Sequence, residues 1–129
     1  MHRRTYHFPG KTEEFRKIIQ NFLEAIQNNE PGTTAFQIYL NHDESKAYLT
    51  EKFQNSEAIL AHFAHVGPML PELLAVAPIT RFEVFGNLSK EAAEAVQHLG
   101  ATIFRYHAGF VREASSSEAK TEEMARMQQ

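Results

Sequence analysis

At 129 residues the chain has room for one domain with a proper core and not for two comfortable ones. A hydrophobic share of 43% and a charged share of 22% are those of a folding globular chain, and a formal charge of -3 with no long Lys/Arg run gives no electrostatic reason to bind nucleic acid or an anionic membrane. With no Cys at all, disulfides, thiolate metal sites and thiol nucleophiles are excluded together.

The opening Met1-His2-Arg3-Arg4-Thr5-Tyr6 has no apolar signal region behind its basic residues. No apolar run is read as approaching the roughly 20 residues of a membrane span, so the expected location is the cytoplasm. Arg3 to Phe8 alternates, Tyr6 and Phe8 against Thr5 and His7, as a short strand stopped by Pro9-Gly10. Phe15, Ile18, Ile19, Phe22, Leu23 and Ile26 recur at helical spacing, which predicts an amphipathic helix from Thr12, as N-cap, to about Asn28. Asn28 to Gly32 ends it, because the residue before Pro31 is pushed out of the helical region.

Thr33 to Asn41, rich in β-branched and aromatic residues, reads as a strand with Phe36, Ile38 and Leu40 on one face. His42-Asp43-Glu44-Ser45 is a polar hairpin connection, and Ala47, Leu49, Glu51 and Phe53 then alternate with Tyr48, Thr50 and Lys52. Asn55 or Ser56 caps a second helix whose stripe is Ile59, Phe63 and Val66, bordered by Ala58 and His62; Gly67-Pro68 breaks it. A short apolar helix, Met69 to Val76, is followed by a strand, Ile79 to Phe85. Ser89 caps a last helix with Gly100 just past its end, and Ala101 to Val111 is a fifth strand. Residues 1 to 112 then form one domain with a C-terminal extension from about 86, and the polar tail 113 to 129 is expected to be disordered or loosely helical.

The order β-α-β-β-α-(α)-β is the split βαβ, ferredoxin-like arrangement, an α+β sandwich with helices on one face of an antiparallel sheet. The bare face, expected to carry Tyr, Phe and Leu, predicts a homodimer mated sheet to sheet. The added helix and strand either extend the sheet or swap onto the partner.

Pro9-Gly10-Lys11 before the first helix, Glu30-Pro31-Gly32 before the second strand, and Glu51-Lys52-Phe53-Gln54-Asn55-Ser56-Glu57-Ala58 followed by His62 resemble, in order and spacing, the antibiotic biosynthesis monooxygenase family. The resemblance spans roughly Arg3 to Phe85. It implies a dimeric α+β barrel with a pocket between sheet and helices, and oxidation of quinol-like or polycyclic aromatic substrates by molecular oxygen with no metal, flavin or other cofactor. Phe53 stands where many relatives carry Trp, and the chain has no Trp, which argues against the haem-degrading branch of the superfamily.

Read for their own chemistry, His62 and Glu51 are the best acid–base pair, both expected near the junction of the third strand and the second helix. A neutral imidazole beside a carboxylate takes a proton from a phenolic hydroxyl, the activation that cofactor-free oxygenation needs. The plainer alternative makes Glu51 a salt-bridge partner and His62 a packed helix residue. Tyr39, Tyr48, Phe53, Phe63 and His65 are the candidates for shaping an apolar substrate cavity, although strand tyrosines also belong at dimer interfaces. His62 and His65 share a helix face, but His42 and His98 lie in other elements and no metal site is expected. Two classes stay open: a cofactor-independent monooxygenase acting on a quinol-like or aromatic small molecule, and a non-catalytic dimeric small-molecule-binding or stress-associated protein on the same scaffold.

Overall fold

The computed structural model describes residues 1–112; the tail 113–129, expected to be disordered or loosely helical, lies outside the described residues. The elements run β1 (His2–His7), α1 (Thr12–Asn29), β2 (Thr33–Leu40), β3 (Lys46–Phe53), α2 (Ser56–Val66), a 3₁₀ turn (Gly67–Met69), α3 (Leu70–Val76), β4 (Ile79–Phe85), α4 (Lys90–His98) and β5 (Thr102–Phe104). The strands lie in the order β2-β3-β1-β4-β5. The first four pair antiparallel and give the ferredoxin-like sheet with helices on one face.

The helices follow from sequence chemistry the reading had picked out. Asn55 caps α2 by accepting from the Ala58 amide at 2.9 Å, and Ser89 caps α4 by accepting from the Ala92 amide at 3.2 Å. Thr12 is not a cap. It is the first helical residue, and its hydroxyl donates to the Glu44 carbonyl at 2.7 Å, tying α1 to the β2–β3 hairpin. That hairpin places Glu44 at φ 56, a left-handed residue other than glycine.

The core has two parts. Tyr6, Phe8, Leu49 and Ala47 from the sheet pack on Phe15, Ile18, Ile19, Phe22 and Ile26 of α1, with Leu73 of α3 closing one side. Phe82 and Val84 of β4 pack on Ile59 of α2 and on Ala92 and Val96 of α4. Phe36 and Ile38 turn toward the helices, while the opposite face carries the rings of Tyr39, Tyr48, Phe85 and Phe104. It sets Tyr39 beside Tyr48, and Gln37 beside Thr50, in cross-strand pairs.

The C-terminal extension joins its own sheet: β5 pairs with β4, in parallel and within the same chain. The crossover through α4 makes the sheet mixed rather than wholly antiparallel. β5 is also far shorter than Ala101 to Val111, because at Tyr106 the chain has left the ladder and its hydroxyl donates to the Gly109 carbonyl at 2.8 Å. α2, the 3₁₀ turn and α3 follow one another directly, so Ser56–Val76 is a 21-residue helical run holding an 18-residue window of mean hydropathy 1.4, longer than the sequence suggests. Its Ile59, His62, Val66 and Leu73 are buried against the rest of the domain.

Candidate active site

The stripe of α2 is not the one apolar spacing suggested. Ile59, His62 and Val66 are buried, while Phe63 is only half-buried. An imidazole at the centre of a buried stripe needs hydrogen-bond partners, and they come from three elements.

The first is the turn after α1. Glu30 ends that helix, its amide donating to the Ile26 carbonyl at 2.9 Å. Gly32 then sits so close to α2 that a Cβ built on it would lie 2.6 Å from the Ala58 Cβ. Ala58 and His62 are one turn apart on a single helix face. The contact that demands glycine therefore brings the Glu30 carboxylate over the two histidines. His62 Nδ1 lies 2.7 Å from Glu30 Oε1 and His65 Nδ1 lies 2.6 Å from Oε2. Thr33 adds a third donor, its hydroxyl 2.8 Å from Oε1. An ionised carboxylate only accepts, so each Nδ1 carries a proton and the Nε2 of His62 keeps its lone pair.

The second and third elements are β3 and β1. Glu51 is paired directly across the sheet with His2, and Arg4 lies two residues further along the same face of β1. All three are buried. Arg4 forms an ion pair with Glu51 Oε1. Glu51 Oε2 lies 3.4 Å from His62 Nε2 and 4.0 Å from His2 Nδ1. Neither nitrogen of His2, nor Nε2 of His62, nor Oε2 of Glu51 has a hydrogen-bond partner among the described residues. These unpaired polar atoms face one another inside a wall of aromatic rings. Phe53 lies 5.0 Å and Phe63 5.2 Å from the His62 ring, and Phe53, Phe63 and Phe82 surround His2 at 4.6–6.0 Å.

Burial dominates the electrostatics. It drives His2 from 6.5 down to about 3, helped by the Arg4 charge. Burial also lowers His62, against the upward pull of Glu30. Burial opposes ionisation of Glu30, but the donors His65, Thr33 and His62 outweigh it and hold the carboxyl below its ordinary value. Near neutral pH the site therefore presents a neutral His62 held by a charged Glu30, an acid–base arrangement sealed from solvent except at His65, which is 32% exposed.

Of the expected site residues, the structure brings together His62, Glu51, Phe53, Phe63 and His65. Tyr39 and Tyr48 are not with them: they project from the opposite face of the sheet, 53% and 38% exposed. The carboxylate hydrogen-bonded to His62 is Glu30, which the sequence reading treated as a turn residue, while Glu51 is committed to Arg4. His2 and Arg4 were also missed. The signal was present in the alternation of β1, which puts Arg4 on the face of Tyr6 and Phe8, and a buried Arg needs a carboxylate. Phe53 and Phe63 lie against His62, their ring centroids 5.0 and 5.2 Å from its own. A concavity of about 500 Å³ lies between α2, α3 and α4, with Phe63, Leu70, Ala95 and Leu99 in its walls and Glu91, Glu94 and His98 beside them.

A split βαβ sheet with an imidazole–carboxylate chain sealed beneath its helices defines a small α+β protein with a buried acid–base centre. Residues 1–67 match the family model described as antibiotic biosynthesis monooxygenase, and the chain belongs to that family. Among solved structures it is similar to MupZ from Pseudomonas fluorescens, with 19% identity, a TM-score of 0.72, and 86% of this chain and 92% of that one covered. It is also similar to SnoaB from Streptomyces nogalater, a cofactor-independent oxygenase, with 15% identity, a TM-score of 0.54 and coverages of 63% and 84%. Rv0793 from Mycobacterium tuberculosis gives 15% identity, 0.51, 61% and 86%. At these identities the likenesses show the fold. The likeness to MupZ extends over more of this chain than the other two do. No match was found among curated proteins.

Proposed function

We propose that the protein is a cofactor-independent monooxygenase that oxidises a quinol-like or aromatic small molecule with molecular oxygen, using His62 as the base. The observation that carries this reading is the neutral, buried imidazole held at 2.7 Å by a charged carboxylate, with its second nitrogen unpaired. Burying such a group in place of a leucine costs stability and provides what proton abstraction requires. His62 Nε2 takes the proton of a phenolic hydroxyl, and Glu30 stabilises the imidazolium that forms. The resulting phenolate is electron-rich enough to reduce oxygen. One oxygen atom enters the ring and the other leaves as water with the two hydrogens the substrate gives up, so a phenol plus O₂ yields a quinone plus water.

Phe63 belongs both to the 500 Å³ groove and to the ring wall around His62. We therefore assign the groove as the substrate's approach, Phe63 as the ring that turns aside to admit it, and Phe53 and His65 as further contacts. Family membership and the likeness to an oxygenase support the reaction class. A homodimer mated over the Tyr39–Tyr48 face belongs to the same proposal, and it gives those tyrosines an interface role in place of a substrate role.

The test is oxygen uptake with a panel of hydroquinones and anthrones. His62→Gln, which keeps an amide donor for Glu30, is expected to lower turnover at least 100-fold, the usual contribution of a general base, with the melting temperature nearly unchanged. Absence of uptake across the panel, or indifference to the substitution, overturns the proposal. The same outcome supports the second reading, a non-catalytic binding protein. The specific observation in its favour is that Phe53 and Phe63 pack against the His62 ring.

A further inference from the structure

Glu30 serves two imidazoles with one carboxylate. Oε1 is shared between His62 and the Thr33 hydroxyl, and Oε2 takes His65. The two histidines are unequal in everything but that partner. His62 is 1% exposed and His65 is 32% exposed. His65 holds Oε2 from the solvent side while His62 holds Oε1 from within, so each imidazole draws on the negative charge the other needs. The remaining charged or titratable groups around His62 are Glu51 on β3 and Arg4 and His2 on β1. Glu51 is already neutralised by Arg4, and His2 is held neutral by burial. Glu30 is thus the charge that favours a proton on His62, and Arg4 and then His65 oppose it.

We propose that Glu30 is the positioning residue for His62 and that His65, bonded to the other oxygen of the same carboxylate, competes with His62 for its charge and so keeps His62 available as a base. The inference rests on the reading of His62 as the base, but its electrostatic core stands without turnover. The two partners act with opposite sign: Glu30 raises the affinity of His62 for a proton, and a protonated His65 lowers it.

The experiment is a titration of the His62 ring by ¹⁵N NMR in the full-length chain, alongside the pH–rate profile. In the unaltered protein the ring is expected as the Nδ1–H tautomer. Glu30→Gln removes the counter-charge, so the midpoint of His62 moves to lower pH, and kcat falls about 100-fold with KM within about twofold. His65→Gln removes the competing cation, so the midpoint and the acid limb of the profile move to higher pH, by roughly one unit. Thr33→Val, which frees Oε1 of its second donor, moves them in the same direction by less and serves if Glu30→Gln does not fold. Shifts of opposite sign for the Glu30 and His65 variants support the proposal. Shifts of one sign for the Glu30 and His65 variants, or a His62 resonance indifferent to the His65 and Thr33 changes, overturn it. The expected resonance shifts with no turnover on any substrate sustain the electrostatic coupling and remove only the assignment of His62 as a base.

Discussion

Gly32 is the smallest change with the largest expected reach. Its φ is not in the left-handed region, so alanine is excluded by space rather than by backbone strain: the new Cβ would stand 2.6 Å from the Ala58 Cβ and 3.5 Å from its Cα. Restoring ordinary contact, 3.4 Å or more, requires the turn and α2 to part by about 0.8 Å. The turn cannot simply swing away, because the Gly32 carbonyl accepts from the Gln54 amide at 2.8 Å. The displacement falls on the Glu30–His62 and Glu30–His65 bonds, stretching 2.7 and 2.6 Å to near the limit of hydrogen bonding. Overpacking costs about 1–3 kcal/mol, and weakening two charge-assisted bonds adds on the order of 1 kcal/mol. A total near 3 kcal/mol lowers the melting temperature of a domain this size by roughly 10 °C. Calorimetry of Gly32→Ala checks it, and the cycle closes with Ala58→Gly, which deletes the atom that is struck. The double variant should recover most of the loss, less about 1 kcal/mol for glycine in a helix. A Gly32→Ala protein melting within 2 °C of the parent, or one that Ala58→Gly does not rescue, refutes the account of how Glu30 is positioned.

Arg4→Met leaves Glu51 buried without a counter-charge and should cost about 3–5 kcal/mol in urea unfolding, most of it regained on adding Glu51→Gln. His2→Phe replaces two unpaired buried nitrogens by a ring among rings, so the melting temperature should rise by several degrees while any oxygenase turnover falls. Stability should decline on the acid side from about pH 6.5. His2 keeps an unfolded value of 6.5 against a folded value of about 3, so the unfolded chain binds the proton first and roughly 1.4 kcal/mol is lost per pH unit across that window. His62, also lowered, acts in the same sense. Glu30, lowered too, adds a loss that begins below the ordinary carboxylate value, as the unfolded chain takes up its proton. A melting temperature flat from pH 7.5 to 5 contradicts these assignments, and His2→Phe should lessen the slope. Sedimentation should find a species of twice 14.7 kDa, and Tyr39→Lys with Tyr48→Lys should return it to the single mass by setting like charges opposite one another.

The periodicities that locate elements were plain in the sequence because burial is one-sided. Ile79–Phe85 is a strand over the span alternation predicts, with a register shift near its start that turns both Ile79 and Phe82 inward, and Asn55 and Ser89 cap as their side chains allow. The fifth strand failed because alternation continues through Phe104 and Tyr106 after the ladder has stopped, and nothing local marks where a parallel partner ends. The site was half legible. His62, Glu51, Phe53 and Phe63 follow from a strand end and a helix start adjacent in the chain. Glu30 lies 32 residues from His62, and its role depends on a close approach between a turn and a helix that spacing along the chain does not encode. The stripe of α2 was misassigned for a related reason: hydrophobicity favours Phe63 for the interior, but a buried carboxylate makes His62 the better-matched occupant.

That preference has a consequence for the C-terminal extension. A chain of buried charged and polar groups through Arg4, Glu51, His62 and Glu30 holds its form only where the surrounding packing over-determines it. Part of that packing lies outside the residues matched by the family model. Phe82, which contacts His2, is on β4, and the apolar layer over it is supplied by Ala92 and Val96 of α4. Without α4 and β5, β4 would be an edge strand and Phe82 and Val84 would lose much of their cover. Water reaching that wall would raise the effective dielectric around His2 and His62 and relax the burial that keeps both neutral. The extension thus has an electrostatic part in the site as well as a structural one, and it also supplies the α4 wall of the groove beside Phe63. The first 67 residues alone hold His62 and Glu30 but not the enclosure that makes them differ from a surface pair.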